Sequence, residues 1–338
     1  MKKQYLTILI LLLIALKGFA QSEPCLTDEL MRNALKENPS LQNYLDEMDR
    51  TINQTQNQSS KLAASAMITI PVVVYIVHGG VNNPENISDN QVTSQITALN
   101  SYFNPHGINF CLATKAGNIA IPSSGGTQTT PGIVHLLSTA LTDHDAQTEQ
   151  QNLVNIAGTT ISSNRYLRIW VVKSISNTGA AGTTLGYSMF PNTSPIFDGV
   201  VIRSDVFGSA QYCQNCNLMP NYNLGKTLVH EVGHFLGLYH TFHEGCTELN
   251  NSNCNLAGDR ICDTPPTETA NFLCINKDTC IEPNNQPDDI HNHMDYGDDN
   301  CSTHFSEGQR SRMFATLFTY RYELFAVSYT HLTLPTKA

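Results

Sequence analysis

The stretch "HEVGHFLGLYH", residues 230–240, decides how the rest of the chain is read. Side chains four apart on an α-helix lie nearly above one another, so His230 and His234 leave one face with both imidazoles able to meet a single metal ion, and Glu231 leaves on an adjacent side. Gly237 can take the positive φ that ends a helix and turns the chain sharply, which lets His240 swing back as a third ligand. Three neutral imidazoles suit Zn²⁺ and leave its fourth position to water, the ligand set of a catalytic site; a structural site would fill that position with Cys or His. Glu231, not itself a ligand, stands where it can accept a proton from a water attacking a carbonyl. Histidines merely buried in a helix core do not account for a glycine and a third histidine at this spacing.

The chain around this stretch is compatible with an exported enzyme. Of 338 residues, 41% are apolar and 14% charged, an ordinary globular composition. The net charge of −10, without any basic run after residue 3, offers no footprint for nucleic acid. Lys2 and Lys3, an apolar run from Tyr5 to Leu16 and the small residues Gly18 and Ala20 read as a secretory signal over residues 1–20. That run is shorter than the ~20 residues needed to span a bilayer, and no membrane span is expected elsewhere. Ten cysteines in an exported chain point to disulfides. Six of them (Cys246, Cys254, Cys262, Cys274, Cys280, Cys301) fall in an Asp-, Asn-, Pro- and Gly-rich segment with too few apolar residues for a core of its own. "CQNC" (213–216) reads as a local disulfide rather than a redox or zinc pair, since no second CxxC accompanies it.

Residues 21–61 are polar, with a helical pattern from Thr27 that Pro39 interrupts, and read as a removable pro-segment. "MITIPVVVYIVH" (67–78) is a buried strand, "SDNQVTSQITALNSYFN" (88–104) a helix, and "YLRIWVV" (166–172) and "FDGVVIRSDVFG" (197–208) strands, with an edge strand over 183–191. The stripe Leu224, Leu228, Val229, Phe235, Leu236 makes the histidine stretch helical up to about Gly237, and "SEGQRSRMFATLFTYRYELF" (306–325) is a last helix. The catalytic domain is thus expected over 62–325, with an upper lobe to about residue 240 and a lower lobe over 241–325. "AVSYTHLTLPTKA" (326–338) reads as a translated sequencing adapter, which puts the natural C-terminus elsewhere.

HExxHxxGxxH followed by a methionine turn is the metzincin signature, and "NHMDY" (292–296) supplies Met294 to floor the metal site and Tyr296 to reach zinc or the tetrahedral intermediate. Met294 as a plain core gap-filler is the other reading. Within the metzincins the chain resembles the pappalysins, through "GKTLVHEVGHFLGLYHTF" (225–242), "GDRICDTPP" (258–266), "HFSEGQRSRM" (304–313) and "DGVVIRSDVFG" (198–208), over about 23–325.

The resemblance implies an α+β fold, with an α/β-like upper lobe of twisted mixed sheet, backing helix and active-site helix, and an irregular, disulfide-rich lower lobe ending in a helix. It implies a secreted, monomeric, zinc-dependent metalloendopeptidase that acts on proteins or peptides and is made as a latent zymogen. A non-catalytic, zinc-stabilised binding or adhesion module is the alternative, and the presence of Glu231 argues against it. The resemblance further implies a structural Ca²⁺ held by Asp259 and Thr264, where turn capping is the competing reading. Family order would pair Cys246 with Cys280, Cys274 with Cys301, and Cys254 with Cys262. Cys25 resembles the pro-segment cysteine that occupies zinc's open position, with a disulfide to Cys111 as the rival and Lys61 as the place of activating cleavage. Some relatives cut before Arg or Lys, which makes Asp298 and Asp299 candidates for a basic P1′ pocket. The edge strand would bind an extended substrate by strand addition.

Overall fold

The computed structural model describes residues 23–63, 67–113, 127, 130–158, 161–177, 180–181, 184–194, 196–246, 254–280 and 286–325. The expected secretory signal (1–20) and the adapter-like tail (326–338) lie outside these residues.

In chain order the elements are α1 (Thr27–Glu37), α2 (Leu41–Ala63), β1 (Ile68–His78), α3 (Asp89–Phe103), β2 (Ile108–Leu112), β3 (Ile133–Leu137), β4 (Asp143–Asp145), α4 (Gln150–Ala157) and β5 (Leu167–Val172). There follow β6 (Ser174–Asn177), β7 (Ala180–Ala181), β8 (Gly186–Ser188), β9 (Val200–Arg203), α5 (Lys226–Phe235) and α6 (Glu307–Tyr320). The main sheet runs β2-β1-β5-β9-β8, and β3 takes over from β2 beside the second half of β1. All its pairings are parallel except β8 with β9, so β8 is an antiparallel edge strand.

The unbroken apolar run of β1 is explained by burial on both faces. Ile70, Val72, Val74 and Ile76 pack with Leu99 and Phe103 of α3 and with Val229, Val232 and Phe235 of α5. Val73, Tyr75 and Val77 belong to a second cluster with Trp170, Leu153 and the N-terminal residues Leu30, Leu45, Met48 and Ile52. Residues 23–63 therefore contribute apolar side chains to the core. They form two helices broken at 38–40, where Pro39 lacks the amide a continuous helix needs.

Ser88 caps α3 by accepting from Gln91 N, and Ser306 opens α6 in a capping box with Gln309. Two expected strands are shorter than expected: 183–191 pairs only at Gly186–Ser188, and 197–208 only at Val200–Arg203 before turning. Among the described residues, the lower lobe after residue 240 has no regular element until α6 and is joined by Cys246–Cys280, Cys254–Cys262 and Cys274–Cys301, with Cys213–Cys216 closing a loop before α5. Cys25 and Cys111 are unpaired, the first buried and the second exposed on β2, which sets aside a disulfide between them.

Candidate metal centre and active site

Helix α5 starts after Gly225, which takes φ +82° against Gln95 of α3, and ends before Gly237 at φ +87°. A Cβ at Gly237 would collide with Thr316 of α6, so glycine serves the turn both by conformation and by close approach. Two arginines hold that end of the helix: Arg321 Nε donates to Phe235 O and Arg312 Nε to Gly237 O, each at 2.7 Å. The turn returns His240 to the face that carries His230 and His234.

The three Nε2 atoms lie 3.1, 3.1 and 3.2 Å apart. These are not hydrogen bonds, because each ring already directs its Nδ1 at an acceptor 2.8 Å away: His230 at His293 O, His234 at Leu238 O and His240 at the Asp28 carboxylate. With the Nδ1 protons so used, three Nε2 lone pairs converge on one point, an arrangement that repels unless a cation occupies it. Tetrahedral ligands about 2.0 Å from zinc stand about 3.3 Å from one another, close to the observed spacing. Burial drives the same conclusion, since it lowers His230 to about 3 and His234 well below its ordinary range and so keeps both rings neutral. The donor set fits zinc.

Met294 lies under this triangle. A Cβ at Gly233, between the first two histidines on α5, would collide with Met294 Sδ, so the helix and the methionine turn meet at the closest approach glycine permits. Tyr296 packs its ring 4.9 Å from that of His240 and 5.9 Å from that of His230. Glu231 is buried at 1% exposure, its Oε1 has no hydrogen-bond partner among the described residues, and burial raises its pKa to about 8. Such a carboxyl is poised to exchange a proton near neutral pH.

The N-terminal segment covers this centre. Cys25 pairs with Gly186 of β8 in parallel fashion, through Leu26 N to Gly186 O at 3.2 Å and Leu185 N to Pro24 O at 2.7 Å. Its Sγ stands 3.5 Å from Glu231 Oε2 and falls with the three histidines in one potential metal-ligand cluster, while its carbonyl accepts from the Tyr296 hydroxyl at 3.2 Å. Asp28, three residues on, is the partner of His240. Asp28 escapes motif reading, because its partner is 212 residues away in sequence and no local pattern links them.

Beside His230 and Glu231 a small pocket is lined by Lys226, Thr227, Tyr296 and Asp299. Asp298 is not on it: its Oδ1 accepts from Asn300 N and Cys301 N in the adjoining turn. Asp299 is 2% exposed, accepts from Leu224 N, and is raised to about 6 by burial.

The sequence matches the family of pregnancy-associated plasma protein-A over residues 150–318. This chain is a pappalysin. Extracellular metalloproteases of Colletotrichum graminicola and Arthroderma otae are 33% and 32% identical to it over 271 and 257 residues, spanning 77% and 74% of this chain and 80% and 77% of theirs. Among solved structures, a promirolysin variant of Tannerella forsythia superposes with a TM-score of 0.64 at 27% identity, covering 93% of this chain and all of the other. Mature mirolysin of the same organism in complex with a cleaved peptide gives 0.60 at 30% identity, covering 80% of this chain and all of the other. The pappalysin fold and the assignment as a zinc metallopeptidase acting on proteins or peptides follow from these matches together. No helix among the described residues is long and apolar enough to cross a membrane.

The oxygens of the lower lobe are disposed as follows. Asp259 is buried, with Oδ2 accepting from Thr264 Oγ1 at 2.7 Å and Oδ1 from Ile261 N at 3.0 Å, and Thr264 Oγ1 also lies 3.2 Å from Ile261 O. Burial raises Asp259 to about 7, the mark of a carboxylate whose charge is poorly compensated. Asp263, between them, instead accepts from Ser306 Oγ and Gly308 N at the start of α6.

Proposed function

We propose that the protein is a secreted, monomeric endopeptidase made as a latent zymogen, with His230, His234 and His240 as its zinc ligands and Glu231 as its general base. The convergence of three Nε2 lone pairs beside a buried, raised carboxyl carries this reading. Zinc held by His230, His234 and His240 would supply Lewis acidity to a water and to the scissile carbonyl. Glu231 takes the proton from that water as its oxygen attacks the carbonyl carbon, and hands the proton to the amine nitrogen as the C–N bond breaks. The Tyr296 hydroxyl, which donates to Cys25 O in the full chain, turns to the oxyanion once the N-terminal segment is gone. Met294 holds the floor rigid. β8, whose edge amide and carbonyl pair with residues 24–26, offers the same groups to an extended peptide.

Latency resides in residues 21–61, ahead of a catalytic domain over 62–325. Cys25 beside the triad and on Glu231 supports this reading, as does the likeness to a promirolysin. Lys61, in the last turn of α2, precedes the start of β1 by seven residues and is the proposed cleavage point. The extracellular naming of the relatives and the disulfides support secretion. Asp299 on the pocket beside Glu231 supports a basic P1′ residue. Asp259, Thr264 and Ile261 O, an all-oxygen buried set around an uncompensated carboxylate, support a structural Ca²⁺.

The deciding experiment compares processed wild type with Glu231→Ala on casein and for bound zinc. The variant keeps its zinc and loses about 10²–10⁴ in rate; a variant still cleaving at the wild-type rate removes Glu231 from the mechanism.

A further inference from the structure

Asp49, on the second N-terminal helix, sits where no sequence pattern assigns it a role. The residue is 5% exposed and its carboxylate is shared three ways: Oδ1 accepts from Arg312 Nη2 at 2.5 Å, and Oδ2 from Arg260 Nε and the Tyr239 hydroxyl, each at 3.3 Å. Arg312 is wholly buried, with Gly237 O as the acceptor of its Nε and no hydrogen-bond partner for Nη1 among the described residues. Both guanidinium groups lie over the Tyr239 ring, at 5.0 and 5.8 Å. Arg260 spends its two terminal nitrogens on Glu244, and the nearby Asp259 accepts from Thr264 and Ile261 N and feels the charge of Arg312 without a hydrogen bond to it.

Removing α2 from this cluster takes away the only carboxylate hydrogen-bonded to Arg312 among the described residues and leaves Arg260 with Glu244. With α2 gone the Arg312 Nη2 loses its acceptor, so the vacated position attracts an anion of the shape it was built around. A cavity of about 790 Å³ connects that position to the catalytic centre: Asp49, Tyr239 and Arg260 line one part of it, Asp28, Phe272 and Tyr296 another.

We propose that Arg312, Arg260 and Tyr239 form a carboxylate-binding site, filled by Asp49 in the full chain and, after the N-terminal helices leave, by an acidic side chain of the peptide lying in the cleft. The first half stands on the contacts alone; the second rests on reading residues 21–61 as a pro-segment. In the full chain, Asp49 is a surrogate ligand that holds α2 against α6. In the processed enzyme the site selects substrates carrying Asp or Glu at one fixed distance from the scissile bond.

The test starts with the full chain carrying Asp49→Ala, which leaves a hole the size of a small carboxylate. Its Tm is expected to fall by about 5 °C and to recover saturably with formate or acetate, but not with chloride at equal ionic strength. Asp49→Asn, which keeps the volume, and Asp49→Ala with Arg312→Met are expected not to respond. Should Asp49→Ala fold poorly, refolding yield in formate against chloride reads the same equilibrium. An unchanged Tm, or a response equal in all three variants, overturns the site. In the second arm, tryptically processed wild type and Arg260→Met are given a peptide library: acidic residues are enriched about tenfold at one position by wild type and not by the variant. Cleavage without that enrichment overturns the substrate half, whereas absence of all cleavage by zinc-loaded wild type refutes the peptidase reading and leaves the formate result standing by itself.

Discussion

Cys25 Sγ lies 3.5 Å from Glu231 Oε2, and the same residue's carbonyl accepts the Tyr296 hydroxyl, so one residue of the N-terminal segment engages both groups that would otherwise act on a substrate. The thiol is fully buried, burial with the neighbouring Glu231 raises its pKa, and on the proposed reading it plugs the centre until the N-terminal segment leaves. Cys25→Ala is expected to raise the activity of the uncleaved full chain at least about tenfold, a change worth 1.4 kcal/mol, and to shorten the lag before self-activation. Progress curves on a quenched peptide measure both, and an unaltered lag would falsify the plug.

Asp28 makes a second, separable contribution. Its carboxylate accepts the His240 Nδ1 hydrogen bond at 2.8 Å, and although burial opposes it, that hydrogen bond helps hold Asp28 far below the usual carboxylate range. A carboxylate behind an imidazole ligand orients the ring and raises its basicity, and its loss typically costs 10–100-fold in metal affinity. Asp28→Asn should therefore weaken zinc binding by about that factor in the full chain and have no effect after processing, when residue 28 has left. Chelator competition before and after cleavage at Lys61 checks this, and equal zinc affinity of wild type and variant in the full chain counts against it.

The different histories of these residues show what a sequence discloses. His230, Glu231, His234, Gly237 and His240 are legible because one helical turn and one bend fix their relation within eleven residues. Met294 and Tyr296 are legible only through a motif, since their contacts to α5 cross more than fifty residues. Asp28 and Asp49 are not legible at all: their partners lie 212 and 263 positions away, and a lone aspartate on an amphipathic helix reads as solvated surface. Short strands are illegible for a related reason. Ile108–Leu112 alternates Ile, Asn, Phe, Cys and Leu over only five residues, and its identity as a strand comes from pairing with β1 rather than from its own pattern.

Calcium at Asp259 and Thr264 is a prediction about stability more than about catalysis. A site held at a hundredfold over its dissociation constant adds about 2.7 kcal/mol, which for a domain of this size moves Tm by about 5–10 °C. EGTA should lower the Tm of wild type by that amount and calcium should restore it, while Asp259→Asn should melt at the lower temperature with or without calcium. Differential scanning calorimetry with zinc kept saturating separates this from loss of the catalytic ion. A melting temperature indifferent to EGTA leaves Asp259 and Thr264 as a turn cap.

On the proposed reading of a basic P1′ pocket, Asp299 sets the pH dependence of selectivity. Burial raises it to about 6, with Leu224 N holding its carboxylate and the ammonium of Lys226 donating to the main-chain oxygens of Asp299 and Ser302. A carboxyl with that pKa is about 90% ionised at pH 7 and about 10% at pH 5. Attraction for a P1′ arginine is present only in the ionised form, so it is full above pH 7 and fades as pH falls through 6; a bound arginine, which favours the ionised form, moves the fall to somewhat lower pH. The ratio of kcat/KM for P1′ Arg over P1′ Leu is the quantity to follow, because the titration of Glu231 affects both substrates and cancels. That ratio should drop about tenfold from pH 7 to pH 5 in wild type and stay low and flat in Asp299→Asn. A ratio independent of pH in wild type would mean that the pocket reads P1′ by shape and that Asp299 serves only to anchor Leu224.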